Sequence, residues 1–204
     1  MKINYGYVKS KLDGSENIFK PNTNLNIPEK YSYIKILPEV INQGNLPICV
    51  PCSISSFIDW EINVTRHTNL HKNIINLSKS FNDISSNNGM SIKEALKYLK
   101  HIGIKVNNEN YKIEEYSIVP SIIVAKLAII MNGPLIVGLP VCNSNCESFW
   151  IGNKIEGYHA VSFVGYDKNG FILRNSWGKS YGKSGYSTFY YDDFFKIIEI
   201  WTLN

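Results

Sequence analysis

Gln43-Gly44-Asn45-Leu46-Pro47-Ile48-Cys49 is followed, 110 residues after the cysteine, by His159-Ala160-Val161 and then by Asn175-Ser176-Trp177-Gly178. Cysteine at neutral pH is mostly the unreactive thiol. A thiol nucleophile therefore needs a base to ionise it, a third group to orient that base, and donors for an oxyanion. Gln43, Cys49, His159 and Asn175 offer one candidate for each role. From Cys49 the pattern turns helical, with Ile54, Phe57, Ile58 and Ile62 on one face and Ser53, Ser55, Ser56 and Asp59 mostly off it. Cys49 thus falls at a helix N-terminus, where unpaired N–H groups and the helix dipole favour the thiolate.

Working outward, residues 1–42 are rich in Asn, Pro and Lys and read as an extended arm with short strand-like stretches such as 31–36. A second helix is predicted over 91–100, capped by Ser91 with Glu94 three residues on and ended near Gly103, and a third over 121–131. Asn132-Gly133-Pro134 then turns the chain into an apolar strand, Leu135–Val141. From Tyr158 the pattern is β: 160–166, a turn through Asp167-Lys168-Asn169-Gly170, then 171–175, 186–190 and 198–203. His159 begins one strand of a hairpin and Asn175 ends the other, so their side chains can meet at its open end. Helices first and strands last make an α+β chain. It is read as one domain over 1–204, with 40–115 mainly a helical lobe and 1–39 (the arm) plus 116–204 mainly a β lobe.

At 204 residues and 44% hydrophobic the chain can bury a core. Its most apolar stretch, 118–141, is interrupted by Pro120, Lys126, Asn132, Gly133 and Pro134, so no transmembrane helix and no membrane partner are predicted. The start carries Lys2 but no apolar h-region or cleavage site, which implies no secretory signal and a chain that stays where it is made, or accompanies a virus. On that ground the sequons at Asn63 and Asn76 read as chance. The net charge of +4 comes from scattered lysines with only Arg66 and Arg174 beside them, which is no nucleic-acid stripe.

Cys49, Cys52, Cys142 and Cys146 have a spacing that four zinc thiolates permit, but a zinc site would consume the nucleophile and leave the His and Asn motifs unexplained. Cys142 and Cys146 are expected as free thiols in a loop, and Cys52 as a packed thiol one turn beyond Cys49. His67 and His71 have metal-pair spacing without the glutamate of a zinc protease helix, and read as a solvated helix end. His101 reads as a cap charge. No metal and no cofactor are expected.

Several further motifs join the first three: Leu77-Ser78 before Phe81, Gly89-Met90-Ser91-Ile92 opening a helix, Gly133-Pro134-Leu135-Ile136-Val137-Gly138, Val164-Gly165-Tyr166 and Gly185-Tyr186. In this order and spacing the chain resembles the papain-family cysteine peptidases, in the compact form with little or no propeptide found in bacteria and large DNA viruses. The resemblance implies a two-lobe fold, a helical lobe against an antiparallel β-barrel-like lobe with the active site in the cleft between. It implies hydrolysis of peptide bonds in a peptide or protein substrate through an acyl-enzyme. Cys49, six positions after Gln43, matches the nucleophile; His159 matches the general base and acid, Asn175 its orienting partner, and Trp177 the ring that shields their hydrogen bond. Gln43 and the Cys49 backbone N–H match the oxyanion donors.

Gly89, with Met90 beside it, matches the substrate-binding wall, and Tyr158 and Ala160 border a side-chain pocket, for which an aromatic or aliphatic residue is expected. Pro47-Ile48 stand where glycine and serine are common, so bulk there narrows the approach to Cys49. Val50-Pro51 replace an aromatic and an alanine. Two other readings keep these residues: acyl transfer to an amine or isopeptide cleavage by the same triad, and a catalytically silent homologue that binds a peptide or partner. The arm is short for an inhibitory prodomain, so control is expected from a partner, a compartment or packaging.

Overall fold

Cys49–Arg66 form the first helix, α1. The computed structural model describes residues 5–21, 25–66, 89–106 and 109–204. Leu77-Ser78, Phe81, the His67 and His71 pair and the Asn76 sequon lie outside the described residues. Pro51 sits in the first turn of α1, where N–H groups have no intrahelical partner. Ile54, Phe57, Ile58 and Ile62 are buried, as their spacing predicts. Ser53, Ser55 and Ser56, off that apolar face, are buried as well. Small side chains let α1 lie close against the strand that carries His159, and the hydroxyls find acceptors: Ser53 Oγ donates to the Val161 carbonyl of that strand at 2.6 Å, and Ser55 Oγ to the Cys52 carbonyl of its own helix at 2.7 Å. A buried hydroxyl so bonded carries little penalty.

Two short strands of the arm, β1 (Tyr7–Val8) and β2 (Tyr31–Ser32), precede α1. After it come β3 (Met90–Ser91), helix α2 (Ile92–His101), the hairpin β4 (Ile104–Val106) and β5 (Glu109–Tyr111), β6 (Tyr116–Ile118) and helix α3 (Ile122–Asn132). Ser91 and Ser121 cap the two helices through hydrogen bonds from the Glu94 and Val124 amides. The C-terminal half supplies β7 (Leu135–Val141), β8 (Gly157–Tyr166), β9 (Gly170–Arg174), β10 (Tyr186–Tyr190) and β11 (Glu199–Leu203).

These strands form an antiparallel sheet in the order β10-β9-β8-β7-β11-β6, with β2 on the far end of β8. Among the described residues the sheet is open and does not close into a barrel. The arm takes up the free edge of β6 instead: Phe19 N donates to the Ile118 carbonyl at 2.9 Å and Ile118 N to that of Asn17 at 2.8 Å. β8 begins three residues earlier than its own pattern predicts, because β7 is apolar throughout and pairs with it down to Val141↔Gly157. His159 is therefore inside a ladder, opposite Leu139. One row across the sheet runs Ala160, Gly138, Glu199, and directly paired residues share a face.

Cys142 and Cys146 are free, and no group of three or more His, Cys, Asp or Glu converges among the described residues, so the zinc spacing is not realised there. Among the described residues no helix is long and apolar enough to cross a membrane.

Phe163 of β8 stacks on Phe171 with centroids 4.8 Å apart and meets Phe189 at a tilt of 41°, centroids 5.1 Å apart, all three fully buried. Phe163→Ala is expected to lower the unfolding free energy by about 3–5 kcal/mol, as deletion of a buried ring does; the urea midpoint of the purified chain measures it.

Candidate active site

The first turn of α1 brings the Cys49 sulfur against β8, where it accepts a hydrogen bond from Ala160 N at 3.4 Å. The preceding residue on β8 is His159, whose Nε2 lies 2.8 Å from Asn175 Oδ1. Ser176 N also donates to that Oδ1, at 2.7 Å, which identifies it as the amide oxygen. Nε2 therefore carries the hydrogen and Nδ1 the lone pair. Nδ1 has no hydrogen-bond partner among the described residues. Trp177 stacks on the imidazole at 4.7 Å with 26° between the planes, and Phe149 meets it edge-on at 5.6 Å.

Gln43 is held from three directions. Its backbone N donates to the Ser176 carbonyl at 2.8 Å, and its Oε1 accepts from Ser176 Oγ at 2.5 Å. Its Nε2 donates to Leu46 O at 2.8 Å and to Tyr5 O at 3.2 Å. The second acceptor is a backbone carbonyl of the arm, bound by the amide matched to the oxyanion donor.

Residues 5–8 run between Pro47 and Gly89. Gly6, at φ +92°, lies so close to the Pro47 carbonyl that a Cβ would overlap it, and Gly89, at φ +103°, has the same relation to the Gly6 carbonyl. Glycine is the residue for both a positive φ and such an approach. Met90 N donates to Gly6 O at 2.9 Å, and β1 pairs with β3 in parallel. The Tyr5 ring lies 5.6 Å from both the His159 and Trp177 rings, and Tyr7 meets Tyr158 edge-on at 6.4 Å. The narrow approach expected from Pro47 is thus matched by a glycine of the arm. The arm, short as it is, lies in the cleft, which the sequence reading does not anticipate.

Of the residues singled out for substrate contact, Gly89, Met90, Tyr158 and Trp177 all touch this segment, and Ala160 touches the sulfur. Tyr5, Gly6, Tyr7, Ser176 and Glu199 are absent from the sequence-based site. Two signals for them existed: a glycine between two tyrosines, and a lone acid within the apolar run Ile197-Ile198-Glu199-Ile200-Trp201.

A family model described as "Papain family cysteine protease" matches residues 75–197, more than half of the chain. The chain belongs to the papain family. Zingipain-2 of Zingiber officinale is 31% identical over 123 residues, which cover 54% of this chain and 56% of that protein, so the chain spans about half the length of the curated relative it matches. Among solved structures, the chain is similar to Xylellain, a cysteine protease from Xylella fastidiosa, with a TM-score of 0.82 and 22% identity over 100% of this chain and 96% of that one. It is similar also to proCathepsin B S9 from Trypanosoma congolense, with a TM-score of 0.81 and 13% identity over 100% of this chain and 88% of that one. Those likenesses carry the fold, a papain-like α+β architecture of two lobes. The family match includes His159, Asn175 and Trp177 but begins after Gln43 and Cys49, which are tied to the site by the contacts above.

In this papain-family chain Cys49 and His159 are both fully buried. Burial raises the Cys49 thiol pKa well above its ordinary value, outweighing the lowering by the Ala160, Val50 and Cys49 amides. The N-terminal helix position favours the thiolate, as predicted, but loss of solvent is the larger effect. Burial likewise pushes His159 down to about 4, against the raising effect of its bond to Asn175. The folded chain thus prefers neutral imidazole while the unfolded chain protonates near the ordinary value of 6.5. Stability from this group is present above pH 6.5 and is lost as pH falls toward about 4. The urea midpoint is expected to fall across that window and to fall less steeply in His159→Gln.

Proposed function

We propose that this chain is a cysteine peptidase that hydrolyses peptide bonds through Cys49, His159, Asn175 and Gln43. One observation carries the reading: the imidazole bonded to Asn175 Oδ1 at 2.8 Å is the neighbour, on one strand, of the amide bonded to the Cys49 sulfur at 3.4 Å. Asn175 holds Nε2–H, which leaves the Nδ1 lone pair to take the thiol proton. The Cys49 thiolate then attacks the scissile carbonyl carbon, and the oxyanion takes hydrogen bonds from Gln43 Nε2 and the Cys49 amide. The imidazolium gives its proton to the departing amine as the C–N bond breaks, leaving a thioester. Water, deprotonated by the same ring, attacks the thioester, and the sulfur leaves with the proton restored. Trp177 keeps bulk water off the His159–Asn175 bond.

Because Cys49 has no exposed surface, a peptide reaches it only after residues 5–8 have left the cleft. Gln43 is poised for its role by Ser176, and its Nε2 is already engaged by a carbonyl.

An electrophilic peptide probe is expected to modify Cys49, and Tyr7→Ala in the full chain to speed that reaction about tenfold or more by loosening the arm. Mass spectrometry of the labelled peptides reads the site; modification of Cys52 in its place would overturn the assignment of the nucleophile. In peptide hydrolysis assays Cys49→Ala is expected to cost about 10⁴-fold or more in kcat, Gln43→Ala about 10²–10³-fold and Asn175→Ala about 10²-fold. Dialysis against a chelator is expected to leave the rate unchanged.

A further inference from the structure

Cys49-Val50-Pro51-Cys52 places two thiols in the first turn of α1. The chemistry above uses Cys49 and not Cys52. Two residues three apart in a helical turn have Cα atoms about 5 Å from one another, inside the roughly 4.4–6.8 Å that a disulfide bridges. Pro51 between them suits the fixed φ of a first turn and removes no intrahelical hydrogen bond. A Cys-x-x-Cys sequence at a helix start is suited to thiol–disulfide exchange, because the unpaired N–H groups there favour the attacking and leaving thiolates.

Cys52 is buried and lines a small cavity with Ala160, Arg174, Asn175 and Ser176. It thus faces the residue of β8 whose amide bonds the Cys49 sulfur. Arg174 donates from Nη2 to the Pro38 and Glu39 carbonyls at 3.1 and 3.0 Å, while Nη1, also buried, has no hydrogen-bond partner among the described residues. Burial pushes the Cys52 thiol up to about 12, and a hydrogen bond with Ser176 and the charge of Arg174 act the other way. After burial and the opposing Ala160 amide, Cys52 is the next influence on the Cys49 thiol, raising its pKa by like charge, so the two sulfurs are electrostatic neighbours. Cys142 and Cys146 stand apart, in the loop after β7, the first half-buried and the second exposed.

We propose that Cys49 and Cys52 form a reversible redox couple in which Cys52 is the resolving thiol, so that a hydroperoxide converts the open peptidase into an inactive form locked by a disulfide. The inference rests on the reading of Cys49 as the nucleophile. With residues 5–8 out of the cleft, His159 takes the Cys49 proton and the thiolate attacks one oxygen of the hydroperoxide. An S–O bond forms as the O–O bond breaks, and the departing oxyanion takes the proton from the imidazolium. The sulfur has lost two electrons and the peroxide has gained them. The Cys52 sulfur then attacks the sulfenic acid at Cys49: an S–S bond forms, the S–O bond breaks, and hydroxide leaves with the Cys52 proton as water. A dithiol returns both electrons and both protons. While the arm is in place Cys49 has no exposed surface, so the closed chain is spared oxidation.

The tryptic peptide spanning 36–66 contains Cys49, Cys52 and no other cysteine. The full-length chain carrying Tyr7→Ala is treated with hydrogen peroxide, alkylated and digested. Mass spectrometry is expected to show this peptide lighter by two hydrogen atoms and closed to alkylation at both cysteines. Dithiothreitol is expected to reopen both and to restore most of the peptidase rate. With Cys52→Ser or Cys52→Ala added, peroxide is expected to drive Cys49 on to the sulfinic acid, and dithiothreitol to recover about tenfold less of the rate. Should both variants fail to fold, the peptide from the chain with Cys52 intact decides the matter alone. Sulfinic acid at Cys49 beside a free Cys52, a disulfide to Cys142 or Cys146, or no oxidation at either position overturns the inference. A Cys49–Cys52 disulfide in a chain that hydrolyses no peptide before oxidation would defeat the peptidase reading and leave the couple standing; hydrolysis with Cys52 still open to alkylation after peroxide would defeat the couple alone.

Discussion

The contact between the first turn of α1 and residues 160–162 of β8 is the constraint on which the site depends. Ala160 N reaches the Cys49 sulfur at 3.4 Å, and one turn along the helix Ser53 Oγ reaches the Val161 carbonyl at 2.6 Å. Ser162 Oγ returns a bond to the Ser53 carbonyl at 3.0 Å. These polar links cross a buried interface, where hydrogen bonds are strong and their absence is costly. They hold helix and strand in one register. A slip of β8 by one residue would send His159 to the opposite face of the sheet, away from Asn175.

The same interface explains why the arm matters so much to the chemistry. A thiol at a helix start and an imidazole on an adjacent strand favour charge separation when water or substrate surrounds them. With Tyr5 against the imidazole and Gly6 wedged between Pro47 and Gly89, both groups are taken out of solvent and both are pushed toward their neutral forms. The arm contributes few residues to this state. It relies on close approach, which two glycines allow, and on three acceptors: the Tyr5 carbonyl for Gln43, the Gly6 carbonyl for Met90, and Glu199 for the Tyr7 hydroxyl.

Much of the architecture was legible because it is written in short-range patterns. The apolar spacing at Ile54, Phe57, Ile58 and Ile62 located α1, the Ser91 cap located α2, and apolar runs bounded by turn residues located β7, β8 and β9. Boundaries moved where a neighbouring strand extended the ladder, as β7 did for β8. The burial of the serines of α1 was not legible, because a hydroxyl with an acceptor can be as buried as a methyl group, and nothing local shows Ser53 its acceptor across the interface. Among the described residues the β lobe is an open sheet, and the pairing of the arm, irregular in sequence, with the edge of β6 was not legible for a similar reason.

By itself the sequence determined the parts and their order: a cysteine opening a helix, a glutamine six residues before it, and a histidine and asparagine at the mouth of one hairpin. These are local facts, set by side-chain chemistry and by spacings that helices and hairpins impose. Only the tertiary structure decided what surrounds them. Tyr7 meets Glu199 across 192 residues of chain, and Gln43 reaches Tyr5 across 38. Such contacts have no periodicity to betray them, because they depend on the space left once α1, β3 and the sheet have packed, and that space exists only in the folded molecule.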